Sequence, residues 1–365
     1  KINSLSDVGV SRIKYHSGLK LLFVAYTNGN IDLLQEDQLI NISDIKRTPM
    51  TGSKAINNIL FIGNNAYLSC GFGIVLLDLS KKEIKDTYYI GTNGTRIEIF
   101  DLAQDGTKFF AATESGVYEA NINDPNLSNY QAWTKHTGIS HPDSKYNAIA
   151  CFNNAVYANM SSSVYNSDTL FKYSGGSWSY FDSTYTSNKY NLHVFNNSLM
   201  VVNEGYIDIF NTSDSNIRKI YTYNNIPDFP VPRDAIIGSQ DFIWIADDKI
   251  GLVKNWDVWN FESYQPNGPS TANVINMSVE GSNLWVAPGG VTSTWTNMYN
   301  IDGIFSFTDE SWKTINSLNT PAFDTIIDII SVGVNPSNPS YAYAGSWSKG
   351  LLEFQDNTFS RIFNS

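Results

Sequence analysis

Charge is scarce in this chain. Asp, Glu, Lys and Arg make up 16% of its 365 residues, against about 25% in ordinary soluble domains. The charge present leans acidic: 24 Lys and Arg against 35 Asp and Glu give a net charge of -11. That balance argues against nucleic acid as a partner, because neutralising phosphates takes clustered Lys and Arg. The basic pairs Lys46–Arg47 and Lys81–Lys82 read as solvated loop charges.

Cysteine is almost missing. Cys70 and Cys151 stand 81 residues apart and read as two small buried residues rather than a bridge. Histidine is sparse too, at positions 16, 136, 141 and 193. None is spaced with another His, Cys or Asp as a metal site requires, so no metal is expected. His136 and His141 fall in the Pro- and Ser-containing segment Lys135–Lys145, which reads as a surface loop.

Long apolar runs are absent. No stretch of 18 apolar residues occurs, so no membrane span is expected. The chain starts at Lys1 without Met or a signal peptide, which reads as a processed product or a fragment of a larger multidomain protein. Catalytic signatures are missing as well. There is no Gly-x-Ser-x-Gly elbow and no phosphate-cradling glycine loop. Gly71-Phe-Gly-Ile-Val is not a dinucleotide fingerprint, because no helix pattern follows it. Glycoside hydrolysis takes two carboxylates at a set separation. Glu114, Glu204, Asp247 and Asp248 all sit in one kind of turn, and the Ser-x-Asp-x-Gly-x-Thr-Trp turns of propeller sialidases do not occur. The chain therefore reads as a non-enzyme that needs no cofactor.

What is abundant is aromatic residues, 14% of the chain, with Asn, Ser and Thr carrying the polarity. That suits strands joined by many turns. Tyr67-Leu-Ser-Cys-Gly-Phe-Gly-Ile-Val-Leu-Leu-Asp78 reads as two strands around a glycine turn, and the same pattern recurs down the chain. Its glycines fall at 29, 73, 116, 205, 251, 303 and 350, with one period lacking its glycine. A spacing near 45 residues matches a four-stranded propeller blade. A strand precedes each pair, and Asn/Gly turns such as Gly63-Asn-Asn65, Asn153–Asn154 and Asn196–Asn197 join it on. A fourth strand follows, read for example at Tyr130–Trp133 in the third unit and Phe261–Tyr264 in the sixth. The expectation is an all-β propeller of four-stranded antiparallel blades. Eight repeats are counted, and seven or eight blades are expected over residues 1–365 as one domain. Phe110, Tyr118, Trp244, Trp285, Phe305 and Tyr343 occupy equivalent strand positions and read as core between blades.

In such a blade the turns between strands two and three share a face with the connectors between blades. Those turns mix aromatics with Asn, Ser and carboxylates, which suits sugar rings or peptide segments. The candidate ligand-binding residues are Tyr26, Phe72, Glu114, Glu204, Asp247, Trp295, Tyr299 and Trp347. The loop Gly289–Asp302 is the longest departure from the repeat and the preferred spot. The aromatic stretch Asn255–Tyr264 reads instead as a packed blade edge.

Several of these segments carry a family resemblance. Ala25-Tyr-Thr-Asn-Gly-Asn-Ile-Asp-Leu-Leu34, Leu68-Ser-Cys-Gly-Phe-Gly-Ile-Val-Leu-Leu-Asp78, Lys82-Glu-Ile-Lys-Asp-Thr-Tyr-Tyr-Ile90 and Ala111-Ala-Thr-Glu-Ser-Gly-Val-Tyr118 resemble the first propeller of PorZ-like proteins. The strong part covers roughly residues 1–135. Ile243-Trp-Ile-Ala-Asp247 and Lys249-Ile-Gly-Leu-Val253 are similar to regulator-type propellers of hybrid two-component sensors. The first resemblance implies a cell-surface component of the Bacteroidetes type IX secretion system. Its implied partners are lipopolysaccharide and a sortase-like enzyme that attaches exported cargo to it. The second implies an extracytoplasmic domain that senses an oligosaccharide. Neither resemblance supplies catalytic residues, and both place the chain in the periplasm or at the outer-membrane surface.

Overall fold

Asn and Gly at the turns close one hairpin after another, and each repeat folds as its own sheet. The computed structural model describes residues 5–182, 187–238, 242–264 and 266–363. Among them are eight four-stranded antiparallel sheets with strands in sequence order, spanning 10–42, 56–88, 99–135, 146–182, 189–220, 232–264, 276–315 and 329–363. These are propeller blades, and the count is the upper of the two expected. The chain divides into two compact units, Lys1–Tyr264 with six sheets and Gln265–Ser365 with two.

In the first unit each apolar core lies between two successive sheets. Leu21, Phe23 and Leu33 of sheet one meet Leu68, Val75 and Leu77 of sheet two. Met200, Val202 and Ile207 of sheet five likewise meet Ile243, Ile245 and Val253 of sheet six. Each such buried side chain stabilises the fold by about 1.5–3 kcal/mol relative to exposure. The second unit has its own core, where Trp285 lies 5.0 Å from Phe354, ring centre to ring centre. Phe110, Tyr118, Trp285 and Phe305 are buried, as their repeat positions predict, but Trp244 and Tyr343 are only half-buried.

The first strands of neighbouring sheets also pair through polar groups. Lys14 Nζ donates to the Ile59 carbonyl at 2.6 Å, and Asn57 Nδ2 to the Ile99 carbonyl at 2.8 Å. The Ile149 N–H donates to Asp101 Oδ2 at 2.9 Å, and His193 Nε2 lies 2.5 Å from Asp234 Oδ1. In the second unit the Val332 N–H donates to Asn276 Oδ1 at 3.0 Å.

One tie repeats and positions the candidate site. In seven sheets a bulge sits at the start of the first strand. The residue after strand two then donates its N–H to the connector that enters the same sheet. Gly71 reaches the Ala55 carbonyl, Glu114 that of Glu98, Ser161 that of Lys145 and Glu204 that of Asn188, at 2.8–3.1 Å. Trp347 reaches Asp328 in the same way at 3.0 Å. The turns between strands two and three are thereby pinned beside the connectors of their own sheets.

Three local expectations differ from the structure. Tyr130–Trp133 is not a strand: Tyr130–Ala132 forms a 3-10 turn and the fourth strand shrinks to Thr134–Lys135. Asn129 caps that turn by accepting from the Gln131 N–H, and buried Trp133 donates its indole N–H to the Leu127 carbonyl. The fourth strand of sheet one, Gln38–Ile42, is polar enough to escape notice in the sequence. His136 is not a surface residue. Its side chain is 11% exposed, accepts from Trp178 Nε1 at 3.1 Å and meets Glu119 Oε2 at 3.2 Å. Cys70 and Cys151 are both free thiols, the first buried and the second half-buried.

Candidate binding site

The loop between Ala287 and Ile304 is built on one buried carboxylate. Asp328 has no exposed surface. Its Oδ2 accepts the N–H groups of Met298 at 2.9 Å and Tyr299 at 2.8 Å, and its Oδ1 that of Asn300 at 3.0 Å. Its own carbonyl takes the Trp347 N–H. One residue therefore fixes the insertion of sheet seven and the turn of sheet eight together. Hydrogen bonds to an ionised carboxylate are roughly twice as strong as neutral ones, so this junction is stiff.

The rest of the loop is a short hairpin. Val291 bridges Asn297, and the Thr292 N–H donates to the Thr296 carbonyl at 2.9 Å. The Thr292 and Thr296 hydroxyls meet at 2.6 Å. Gly289 has to be glycine, since a Cβ there would lie 2.3 Å from the Ile329 carbonyl oxygen.

Three residues of the site sit in left-handed backbone: Trp295 at φ +55°, Tyr299 at +59° and Asp328 at +47°. For a bulky side chain that conformation costs roughly 1–2 kcal/mol. Core packing does not offset it, because Trp295 is 71% and Tyr299 73% exposed. Met298, Ile301 and Trp347 are exposed beside them in the chain or across the Asp328 junction. The insertion and the adjoining turn thus carry three solvent-exposed aromatics, a candidate platform, with Thr and Asn groups in the same loop. Such a platform can offer flat apolar faces to a ring-shaped polar ligand.

The other predicted residues divide. Glu114 is exposed, and its carboxylate accepts the Glu98 N–H at 3.1 Å. Glu204 is half-buried and accepts from Asn188 Nδ2 at 2.7 Å. Asn188 lines a cavity of about 330 Å³ with Ser162, Tyr165 and Tyr190. Arg233 stacks 4.6 Å from the Tyr190 ring centre there and pairs with Asp248 at 2.9 Å. Tyr26, Phe72 and Asp247 do not belong to a binding surface, because all three are buried. The Tyr26 hydroxyl donates to Asp32 Oδ2 at 2.7 Å, and Phe72 packs in the core between sheets one and two. Asp247 accepts from the Val231, Lys249 and Ile250 N–H groups, which closes its own turn. Tyr26 and Asp247 each end a second strand, one position before the turn residues that Glu114, Glu204 and Trp347 occupy.

Sequence reasoning missed Asp328. Its signal was present: a lone carboxylate inside the apolar run Ile326-Ile-Asp-Ile-Ile330. It also misjudged Asn255–Tyr264, where Trp256, Val258 and Trp259 stand exposed at a hairpin tip. Among the described residues no three His, Cys, Asp or Glu side chains gather as metal ligands.

Residues 1–134 match a family model described as the N-terminal β-propeller domain of PorZ from the type IX secretion system. No match was found among curated protein sequences. Among solved structures, PorZ of Porphyromonas gingivalis aligns over 99% of this chain and 47% of its own, with 20% identity and a TM-score of 0.72. Its published description is an essential bacterial surface component of the type IX secretion system. The extracellular domain of a putative one-component system from B. thetaiotaomicron aligns over 99% of this chain and 47% of its own, at 11% identity and a TM-score of 0.52. That of a putative hybrid two-component system from the same organism aligns over 99% and 53%, at 11% and 0.53. These likenesses show the propeller fold. The chain spans about half the length of the structures it matches.

Proposed function

We infer from the match of residues 1–134 that the chain is a non-enzymatic propeller module of a type IX secretion component. It works outside the cytoplasm, in the periplasm or at the outer-membrane surface. Its task is to hold a glycan, with lipopolysaccharide as the first candidate, while secretion-system partners such as a sortase-like enzyme attach cargo. The contact surface is the platform of Trp295, Tyr299 and Trp347. The observation that carries this reading is the exposure of Trp295 and Tyr299 on left-handed backbone, the latter held by a buried carboxylate. Strained, solvent-facing aromatics gain nothing for the fold, and such strain gathers at ligand sites.

The test is binding of lipopolysaccharide against a panel of unrelated glycans, with Trp295→Ala and Tyr299→Ala. Truncating an aromatic that anchors a ligand costs about 2 kcal/mol or more, roughly 30-fold in affinity. Unchanged affinity in both variants would remove the platform from the reading. A second reading, an oligosaccharide-sensing input domain, is favoured by the likeness to sensor extracellular domains. Finding a transmembrane helix and a kinase encoded after the propeller would support it against the first.

A further inference from the structure

The opposite ends of the sheets carry a second feature that neither reading uses. Between sheets five and six, at the end bearing their first turns, lies a cavity of about 380 Å³. Its lining combines the apolar Phe195, Ile209, Ile217, Ile237 and Ile243 with the turn residues Asn196, Asn197 and Ser198. Ile209 and Ile243 are buried at its floor, and Ile217 is exposed at its mouth. One cation lines it, Arg218.

Arg218 is half-buried, and burial lowers its pKa from the ordinary guanidinium value, with Asp257 opposing at longer range. Arg12 donates to a backbone carbonyl and Arg96 lies against the Tyr89 ring, whereas Arg233 pairs with Asp248 and Arg361 with Glu353. Arg218 has no such partner among the described residues. Its guanidinium donates to the Val258 backbone carbonyl at 2.7 Å. That bond joins the cavity to the exposed hairpin tip of Trp256, Val258 and Trp259. The tip is itself rigid, since Asp257 Oδ1 accepts the Trp259 and Asn260 N–H groups at 2.8 and 2.9 Å. A partly desolvated cation with no ion pair among the described residues, only Asp257 at longer range, can still accommodate an anion.

We propose that this cavity binds a single-chain amphiphilic carboxylate, with its apolar chain along the isoleucine wall and its carboxylate on Arg218. The fit follows from the chemistry. A partly apolar pocket of this size with a few placed polar groups is the usual form of a small-ligand site. A guanidinium with free N–H groups matches a carboxylate through two parallel hydrogen bonds. The occupant is a free molecule.

Isothermal titration calorimetry with decanoate, decan-1-ol and acetate tests the proposal on the whole chain. Decanoate is expected to bind with one-to-one stoichiometry. The alcohol lacks the charge and acetate lacks the chain, so each should bind at least about tenfold more weakly. Arg218→Gln should weaken decanoate by about tenfold or more. Ile217→Asp, at an exposed position, should abolish binding by placing a like charge at the mouth. Melting curves matching the parent show that both variants fold. No decanoate binding to the parent overturns the proposal. So does equal binding by the alcohol, or an Arg218→Gln variant that binds like the parent.

Discussion

Replacing Asp328 with Ala should release the aromatic platform without unfolding the sheets around it. The carboxylate takes three backbone N–H groups, from Met298, Tyr299 and Asn300. Each bond to a charged acceptor contributes about 1.5–3 kcal/mol net. The three do not add fully, because the freed N–H groups lie in an exposed loop where water replaces part of the loss. A loss of about 3 kcal/mol in local opening energy is expected, roughly a hundredfold in the opening constant. Left-handed backbone at Tyr299 would lose its restraint at the same time. Hydrogen exchange read at residues 298–300 checks this, and those amides should exchange about a hundredfold faster in the variant. Asp328→Asn is the control. Asn tolerates positive φ and keeps an acceptor, so its effect should be smaller. The reasoning fails if exchange at these three amides is the same in Asp328→Ala as in the parent.

Two further outcomes follow from buried titratable groups. Burial holds His136 below its ordinary value of 6.5, with Glu119 opposing. The neutral form is the one that accepts from Trp178 Nε1. Its folded pKa is depressed, so the stability it allows is complete above about pH 6.5 and lost as pH falls below it. Urea midpoints measured between pH 7 and pH 5 should fall less steeply in His136→Gln than in the parent, and parallel slopes would contradict this. The free thiols give the second test. Burial raises the pKa of Cys70 and pushes Cys151 up to about 12. At pH 8 a disulfide reagent should label neither within minutes in the native chain, and both after denaturation. Fast native labelling of Cys70 would mean that the core between sheets one and two opens.

How much the sequence disclosed depends on the scale of the feature. The sheets were legible because each is one repeat, with its turn glycine and its period-two strands close together in the chain. The exposure of Trp295 and Tyr299 was legible because the loop that carries them breaks the repeat. The burial of Tyr26, Phe72 and Asp247 was not, because it turns on a one-residue difference in where strand two ends and on packing against the next sheet. Asp328 sits 29 residues from Tyr299, and a single residue contains no mark of which distant N–H groups it will meet. Arg218 stands beside Lys219 with nothing in the sequence to set it apart. Only its neighbours across the sheets show that it has no carboxylate pair among the described residues.

The repeating tie between turn and connector also bears on how the chain acquires its structure. Gly71 meets Ala55, and Glu204 meets Asn188, each pair 16 residues apart. Strands pair in sequence order in every sheet. Most of the ordering therefore closes short loops, which keeps the entropic cost of each step low. A sheet can assemble as soon as its own residues are available, and it then presents an apolar face for the next one to cover. Growth would run by nearest neighbours along the sequence, as in other repeat proteins. For a chain that emerges from its N-terminus first, each sheet serves as the template for the one behind it.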